Sequence, residues 1–267
     1  NREARKRLKR LVQPFILRRT KSQVLEELPS RTEIVLEVEM SEREASFYEA
    51  LRQRAIERIE MSEGESGQKL IGILAELMKL RRACCNPRLV NQDVDIPSSK
   101  FSLFAEVLEE LLDNKHKVLV FSQFVDHLRI IRQHLESKSV SYQYLDGSTP
   151  IKDRTKAVED FQAGKGDVFL ISIKAGGFGL NLTAADYVIH MDPWWNPAVE
   201  DQASDRAHRI GQKRPVTIYK LITKNTIEEK IVKLHENKKE LANSLLEGTE
   251  LTSKVSADEL IALIKEL

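Results

Sequence analysis

Three polar residues near the carboxyl end of the chain have a spacing that suits phosphate chemistry. Gln202, Arg206 and Arg209 lie at positions i, i+4 and i+7, so a single helix would place them on one face. A second, apolar face that packs on a core would consist of Val199, Ala203, Ala207 and Ile210. Two forked, permanently charged donors held rigidly suit an oxyanion, above all a phosphate. The alternative is an ordinary solvated charged face.

A glycine-rich turn is the second candidate for phosphate chemistry. Gly176, Gly177 and Gly179 follow an apolar run at 168–172, with Lys174 beside them. Glycines after a strand allow a tight turn whose backbone N–H groups point outward, and such groups bind phosphate oxygens. Alone this pattern is weak, because most glycine turns hold no ligand. We expect these glycines to help bind a nucleotide only if they face the arginines.

Two further loops carry candidate nucleic-acid contacts. Ser148 and Thr149 precede a predicted helix, so at least one should cap it, and the other can donate its hydroxyl to a phosphate. Trp194 and Trp195 lie between prolines. Paired tryptophans usually pack, but an exposed one can stack on a base or enter a groove.

Alternating strands and helices must position these residues. Strands are predicted at 118–122, 142–145, 168–172, 187–191 and 216–222, and helices at 101–113, 125–137, 150–163 and 198–209. This alternation predicts an α/β fold with a parallel sheet flanked by helices. Ligands of such sheets bind beyond the carboxyl ends of the strands, so the loops after Ser122, Leu145, Ser172 and Met191 should carry the function.

The flanking segments are mostly helical. A half-buried strand is predicted at 32–40, and a capping box of Ser41 and Glu44 opens a helical hairpin over 41–90. A second capping box at Thr226 and Glu229 opens a long amphipathic helix. The final helix, 257–267, is expected to be a loosely attached tail.

Composition limits the classes of function. The 267 residues carry a net charge of only +1, so binding to nucleic acid must rely on local patches such as the basic segment 1–22. The two cysteines are adjacent, which offers neither a disulfide framework nor a zinc site and indicates a reducing compartment. No G-x-x-x-x-G-K-[ST] loop or D-E-x-H run occurs. Another domain must therefore hold a nucleoside triphosphate with its metal.

The ordered motifs resemble those of the second RecA-like lobe of Swi/Snf-type helicase-like ATPases, a superfamily-two family of DNA translocases and chromatin remodellers. They cover about residue 15 to residue 248 and comprise Phe15–Lys21, Leu80–Pro87, Val120–Phe124, Leu145–Thr149, Lys174–Leu182, Trp195–Pro197 and Gln202–Gln212. Asn86 stands where many relatives have histidine, and Phe178 where Thr or Leu is usual. The short tail resembles bacterial relatives more than nuclear ones.

The resemblance implies a role for each motif. Arg206 and Arg209 match the paired arginine fingers that reach a triphosphate held by the first lobe, and Gln202 opens the same motif. Contacts to the DNA backbone are implied for Ser122, Gln123, Thr149, Lys174 and Ala175. Trp195 matches the tryptophan near the minor groove. The cofactors implied are ATP and Mg²⁺, bound mainly by the first lobe.

The resemblance also implies an organisation and partners. We expect a basic linker at 1–31, an edge strand with a helical protrusion at 32–95, a RecA-like lobe at 96–225, and a bracing helix with a tail at 226–267. The expected partners are double-stranded DNA, the first lobe of the same polypeptide and a nucleoprotein substrate, with a monomeric protein in the bacterial nucleoid or the nucleus and no membrane contact. The alternatives are a non-catalytic docking module and an RNA-directed helicase.

Overall fold

Six parallel strands form the single sheet of the computed structural model, which describes residues 28–61, 66–175, 179–234 and 257–265. The strands are β1 (Arg31–Val38), β2 (Val118–Ser122), β3 (Tyr142–Leu145), β4 (Val168–Ser172), β5 (Tyr187–His190) and β6 (Val216–Thr223), in the spatial order β1-β6-β5-β2-β4-β3. Every neighbouring pair is parallel. All six carboxyl ends therefore lie along one edge of the sheet, and the predicted parallel sheet is confirmed.

Helices connect the strands and flank the sheet. They are α1 (Glu42–Met61), α2 (Ser66–Cys85), α3 (Ser99–Asp113), α4 (Val125–Ser137), α5 (Ile151–Gln162), α6 (Pro197–Ser204), α7 (227–234) and α8 (Ala257–Lys265). None of the helices within the described ranges has the length and apolarity needed to cross a membrane.

The two faces of the sheet bury separate parts of the core, because successive strand residues point to opposite sides. Leu119 and Phe121 of β2 pack on one face with Phe161 of α5. Val118 and Val120 pack on the other face with residues of α3 and α4. The central strands β2 and β4 are buried along their whole length, as the apolar runs predict for strands covered on both sides.

The edge strand β1 is less buried than its alternating pattern predicts. Ile34 and Val35 are exposed, and within the strand only Val38 is fully buried. β1 lies at one edge of the sheet, with β6 as its neighbour.

The helical hairpin of α1 and α2 forms as predicted. Glu44 and Ser41 make the predicted capping box: the Ser41 N–H donates to Glu44 Oε2 at 3.0 Å, and the Glu44 N–H donates to Ser41 Oγ at 3.3 Å. The second box forms only in part. The Thr226 hydroxyl accepts from the N–H of Glu228, and the Glu228 carboxylate in turn accepts from the N–H of Thr223.

The final helix packs on this hairpin, so the expectation of a loosely attached tail is wrong. Leu260 and Ile264 of α8 are buried in the hairpin cluster, together with Ile227 and Ile231 of α7. The Arg52 guanidinium also donates to the carbonyl of Ile264 at 3.0 Å, which satisfies one of the helix's terminal carbonyls. The apolar stripe of α8 is thus buried against α1 and α2.

Candidate nucleotide and DNA interface

The segment that carries the two arginines is not one continuous helix. Helix α6 begins at Pro197, behind the N-cap Asn196, and ends at Ser204, and residues 205–211 form turns. The predicted helix over 198–209 is therefore wrong in its second half. Gln202 lies on the helix, whereas Arg206 and Arg209 lie beyond its end. Ile210, predicted to pack on the core, is 69% exposed.

Hydrogen bonds to other parts of the chain hold the turns that follow this helix. The carbonyl of Arg206 accepts from the N–H of Leu182 at 3.0 Å. The Gln212 side chain donates to the carbonyls of Ala185 and Ala207 at 2.8 and 3.0 Å. The Arg206 carbonyl and the Gln212 side chain thus tie the turns beyond α6 to the loop at 179–185. Gly211, at a φ of 100°, completes the turn in a conformation that favours glycine.

Arg206 has an unusual environment for a charged side chain. The residue is only 5% exposed, and its Nε is buried without a hydrogen-bond partner among the described residues. Burial lowers the pKa of Arg206, the charge of Arg209 lowers it further, and Asp205 opposes both. A buried donor without a partner costs about 1–3 kcal/mol, and more when it is charged, so Arg206 is suited to bind an incoming anion.

Arg209 is exposed and lies against Gly179. Its Nη1 donates to the carbonyl of Gly179 at 3.5 Å, a long hydrogen bond. Gly179 has a φ of 50°, as the turn requires. The structure thus brings together one predicted arginine and one predicted glycine from segments 30 positions apart. Gly176 and Gly177 lie outside the described residues.

Ion pairs anchor helix α6 to the sheet. Gln202 is exposed on the surface of this helix. Arg31 of β1 contacts Asp201 at 3.0 Å and Asp205 at 3.1 Å, on either side of the end of α6. Lys220 of β6 contacts Glu200 at 3.3 Å. Glu200, Asp201 and Asp205 are therefore paired with the sheet. Arg209, by contrast, contacts the carbonyl of Gly179.

The loop after β2 is held by a buried carboxylate. Ser122 is fully buried, and its hydroxyl donates to Asp192 Oδ1 at 2.5 Å and accepts from the N–H of Phe124 at 3.1 Å. The hydroxyl of Ser122 is therefore occupied inside the protein, and its implied contact with DNA stays a prediction that only its backbone could fulfil. Gln123 follows, half-buried, with a buried Nε2 that has no partner among the described residues.

The loop after β3 is organised by Asp146. Its Oδ1 accepts from the N–H and the hydroxyl of Ser148 at 2.8 and 2.6 Å, and the Thr149 hydroxyl accepts from the N–H of Asp146 at 3.0 Å. Neither hydroxyl caps the next helix, whose N-cap is Pro150 without a side-chain bond. The capping prediction is wrong because Asp146 offers a closer partner. Thr149 remains half-buried at the edge of the sheet.

Three further predicted residues lie at the same edge. Lys174 is exposed, whereas Ala175 is 3% exposed, so only the backbone of Ala175 can contact a ligand directly. Trp195 is half-buried and packs on the hairpin cluster, with the Arg81 guanidinium 5.1 Å from its ring centroid. Arg81 also donates to the carbonyl of Pro193. This cation–π contact fixes the tryptophan loop to α2.

Sequence reasoning missed the residues that support the site. Arg31 is 170 positions from Asp201, and Ser122 is 70 positions from Asp192. No local pattern links partners at such separations. The one available signal was the position of Asp192 directly after an apolar strand, at the edge where parallel strands end.

The chain matches two family descriptions. Residues 99–211 match the helicase conserved C-terminal domain, and residues 1–89 match the SNF2-related domain. The C-terminal domain of the SWI2/SNF2 ATPase of Sulfolobus solfataricus is 30% identical with a TM-score of 0.71, covering 88% of this chain and 99% of that domain. The chain therefore belongs to the Swi/Snf family of helicase-like ATPases, and its fold is that of their C-terminal, RecA-like lobe.

Two other relatives are informative. A Mycoplasma pneumoniae protein described as an ATP-dependent helicase of uncharacterized role is 39% identical over 254 residues, which cover 94% of this chain and 24% of that protein. The Sulfolobus ATPase core in complex with double-stranded DNA is 33% identical with a TM-score of 0.72, covering 99% of this chain and 57% of the core. The chain spans 24% and 26% of the length of two curated relatives that it matches.

Proposed function

We propose that this chain is the second motor lobe of an ATP-dependent translocase that acts on double-stranded DNA. In this proposal a first lobe of the same polypeptide holds ATP and Mg²⁺, and this lobe supplies Arg206 and Arg209. The observation that carries the proposal is the buried Arg206 guanidinium with an unpartnered Nε, beside an exposed Arg209 that contacts Gly179.

The nucleotide side of the proposal rests on charge. When the lobes close, an anion that approaches the Gly179 turn meets Arg209 first and gives Arg206 the partner that it lacks. Charge develops on the γ-phosphoryl oxygens during transfer, and an arginine that binds them there is worth about 10³–10⁵ in turnover. We propose that Gly176, Gly177 and Gly179 also help to bind the nucleotide, since backbone N–H groups of glycine-rich segments bind phosphate oxygens. We propose that Gln202, which is exposed on α6, contacts the same nucleotide.

The DNA side of the proposal uses the carboxyl edge of the sheet. Strand β4 lies between β2 and β3 in the sheet. The loops that follow these three strands carry Gln123, Thr149 and Lys174 and are therefore neighbours. We propose that these three contact the phosphates of one strand. Ser122 and Ala175 shape the loops from within, and Trp195 faces a groove. Such contacts carry little sequence information and weaken steeply with salt.

The relatives support the general class of activity. The Mycoplasma relative is described as an ATP-dependent helicase, and the Sulfolobus core was solved with double-stranded DNA. We infer the same class of activity for the protein that contains this chain, in the bacterial nucleoid or the nucleus. The 267-residue chain by itself is expected to hydrolyse no ATP, because it has no G-x-x-x-x-G-K-[ST] phosphate-binding loop.

The substitution Arg209→Ala in the full-length protein tests the proposal. DNA-stimulated ATP turnover should fall by about 10³-fold or more, because a transition-state contact is lost. DNA affinity should stay close to that of the unchanged protein. Arg214→Ala is the matched control: Arg214 is 64% exposed and contacts Asp186 at 3.3 Å, so turnover should hardly change. Near-normal turnover of Arg209→Ala would contradict the proposal and favour a non-catalytic docking module.

A further inference from the structure

Three potential metal ligands meet inside the lobe, away from the arginines. The Sγ of Cys85, a ring nitrogen of His127 and a carboxylate oxygen of Asp192 all lie within 4.8 Å of one another. All three residues are buried. They come from the end of α2, the first turn of α4 and the loop after β5. Thiolate, imidazole and carboxylate are the ligand types that proteins use to bind zinc.

His127 provides the second, independent observation. The residue is fully buried, and neither Nδ1 nor Nε2 has a hydrogen-bond partner among the described residues. An imidazole with both nitrogens unsatisfied inside a protein is costly, and buried polar atoms are almost always paired. A metal ion bound to the nitrogen nearer Cys85 and Asp192 would provide a partner for that nitrogen.

The other two residues are available for the same ion. Cys85 is a free thiol. The Oδ1 atom of Asp192 accepts a hydrogen bond from the Ser122 hydroxyl. The Oδ2 atom accepts only from the Gln123 N–H, at 3.3 Å, and shares this donor with Oδ1. One carboxylate oxygen therefore retains lone pairs for a metal. Ser122 and Gln123 would then act as the residues that orient a ligating carboxylate, as partners of metal ligands commonly do.

Charge and size favour Zn²⁺. One thiolate and one carboxylate carry two negative charges, which match the charge of a divalent cation. The Arg81 guanidinium, whose charge acts to lower the pKa of Asp192, is a further positive charge near the site. Lys100, which lies near the cluster, is already paired with Glu228 at 2.5 Å. Zinc bonds of about 2.0–2.3 Å set ligand separations of about 3.3–3.6 Å in a tetrahedron, so separations within 4.8 Å need to close by at most about 1.5 Å.

We propose that Cys85, His127 and Asp192 form a zinc site that fastens the helical hairpin to the sheet, with water as the fourth ligand. Binding converts the Cys85 thiol to a thiolate and releases one proton to solvent. The ion would join α2, α4 and the loop of Asp192, which also holds Ser122. The site is distinct from the Mg²⁺ that accompanies ATP in the proposed function.

Metal analysis of the full-length protein tests this site. Protein produced in zinc-supplemented medium and desalted is compared with the His127→Leu, Cys85→Ser and Cys84→Ser variants. Cys84 is the matched control, because it is a buried neighbouring cysteine outside the cluster. We expect about one zinc per chain in the unchanged protein and in Cys84→Ser, and a loss of affinity of more than about 100-fold in the other two. The zinc content of His127→Leu measures the zinc that other domains bind, and this amount is subtracted from the content of the unchanged protein.

Cobalt provides a readout that does not depend on stability. Co²⁺ at this site should give a thiolate charge-transfer band in the near ultraviolet, present in Cys84→Ser and absent from Cys85→Ser and His127→Leu. His127→Leu replaces the imidazole by an apolar side chain of similar size, so a folded variant is expected. Equal zinc content in the unchanged protein and in His127→Leu, together with no cobalt–thiolate band, would overturn the proposal.

Discussion

Two buried cations of this lobe differ in how completely they are paired. Lys100 contacts both oxygens of Glu228, at 2.7 and 2.5 Å, and donates to the carbonyls of Met191 and Leu221 at 3.1 and 3.3 Å. Arg206, 5% exposed, has a buried Nε without a partner among the described residues. The first cation has more acceptors than an ammonium can use, whereas the second has too few.

The contrast separates a charge that stabilises the fold from one that awaits a ligand. Burial alone would lower the pKa of Lys100, but Glu228 more than compensates and raises it. Burial lowers the pKa of Arg206, and no neighbour compensates fully. A buried charge is stable only when it is paired. Substitution at the Lys100 pair should therefore damage stability, and substitution at Arg206 should damage activity.

Arg206→Ala should give the largest effect. In the full-length protein, turnover with DNA should fall by about 10³-fold or more, while the melting temperature stays the same or rises. The rise is expected because an unsatisfied buried charge is removed. Steady-state ATPase assays and thermal unfolding of the same preparation measure both. A large loss of stability with unimpaired turnover per folded molecule would remove the contrast with Lys100.

Glu228→Gln should have the opposite signature. The substitution leaves Lys100 buried without a counter-charge and should lower the free energy of unfolding by about 3–5 kcal/mol. Urea unfolding of the 267-residue chain measures this loss. The double substitution Lys100→Met with Glu228→Leu removes both charges and should recover much of the stability. If Glu228→Gln is as stable as the unchanged chain, the pair does not have the structural role assigned to it.

Arg31→Ala should give an intermediate effect on both properties. The loss of its contacts to Asp201 and Asp205 should lower stability by about 1 kcal/mol, since both pairs are partly exposed. Turnover should fall by less than about tenfold, because the end of α6 loses an anchor but keeps its arginines. A loss as large as that of Arg206→Ala would mean that Arg31 itself contacts the nucleotide.

Glu33 should give the smallest effect, which appears in how stability depends on pH. Burial alone would raise the pKa of Glu33, but the hydrogen bond and charge of Lys220, together with Arg31, lower it from 4.5 to about 2. Its contribution to stability is therefore present above pH 4.5 and is lost as the pH falls from 4.5 to about 2. Thermal unfolding across this range should show a shallower decline for Glu33→Gln. Parallel curves would contradict the shifted pKa.

The sheet could be predicted from the sequence because its pattern is local. Apolar runs such as 118–122 and 168–172 match strands at their exact bounds, and the hairpin follows from its capping box. The turns that follow α6 could not be predicted, because they are held by hydrogen bonds to the distant residues Leu182 and Ala185. The burial of Ser122 depends in the same way on Asp192, 70 positions away. The local pattern located the arginines but not their surroundings.

The most direct test is the structure of the full-length protein with duplex DNA and a transition-state analogue of ATP hydrolysis. The measured quantity is the distance from the guanidinium nitrogens of Arg206 and Arg209 to the γ-phosphate position. Our account predicts direct hydrogen bonds of about 2.7–2.9 Å from both residues, with the Arg206 Nε paired. Closed lobes in which neither guanidinium touches the nucleotide, and in which Arg206 remains buried in its own lobe, would contradict it.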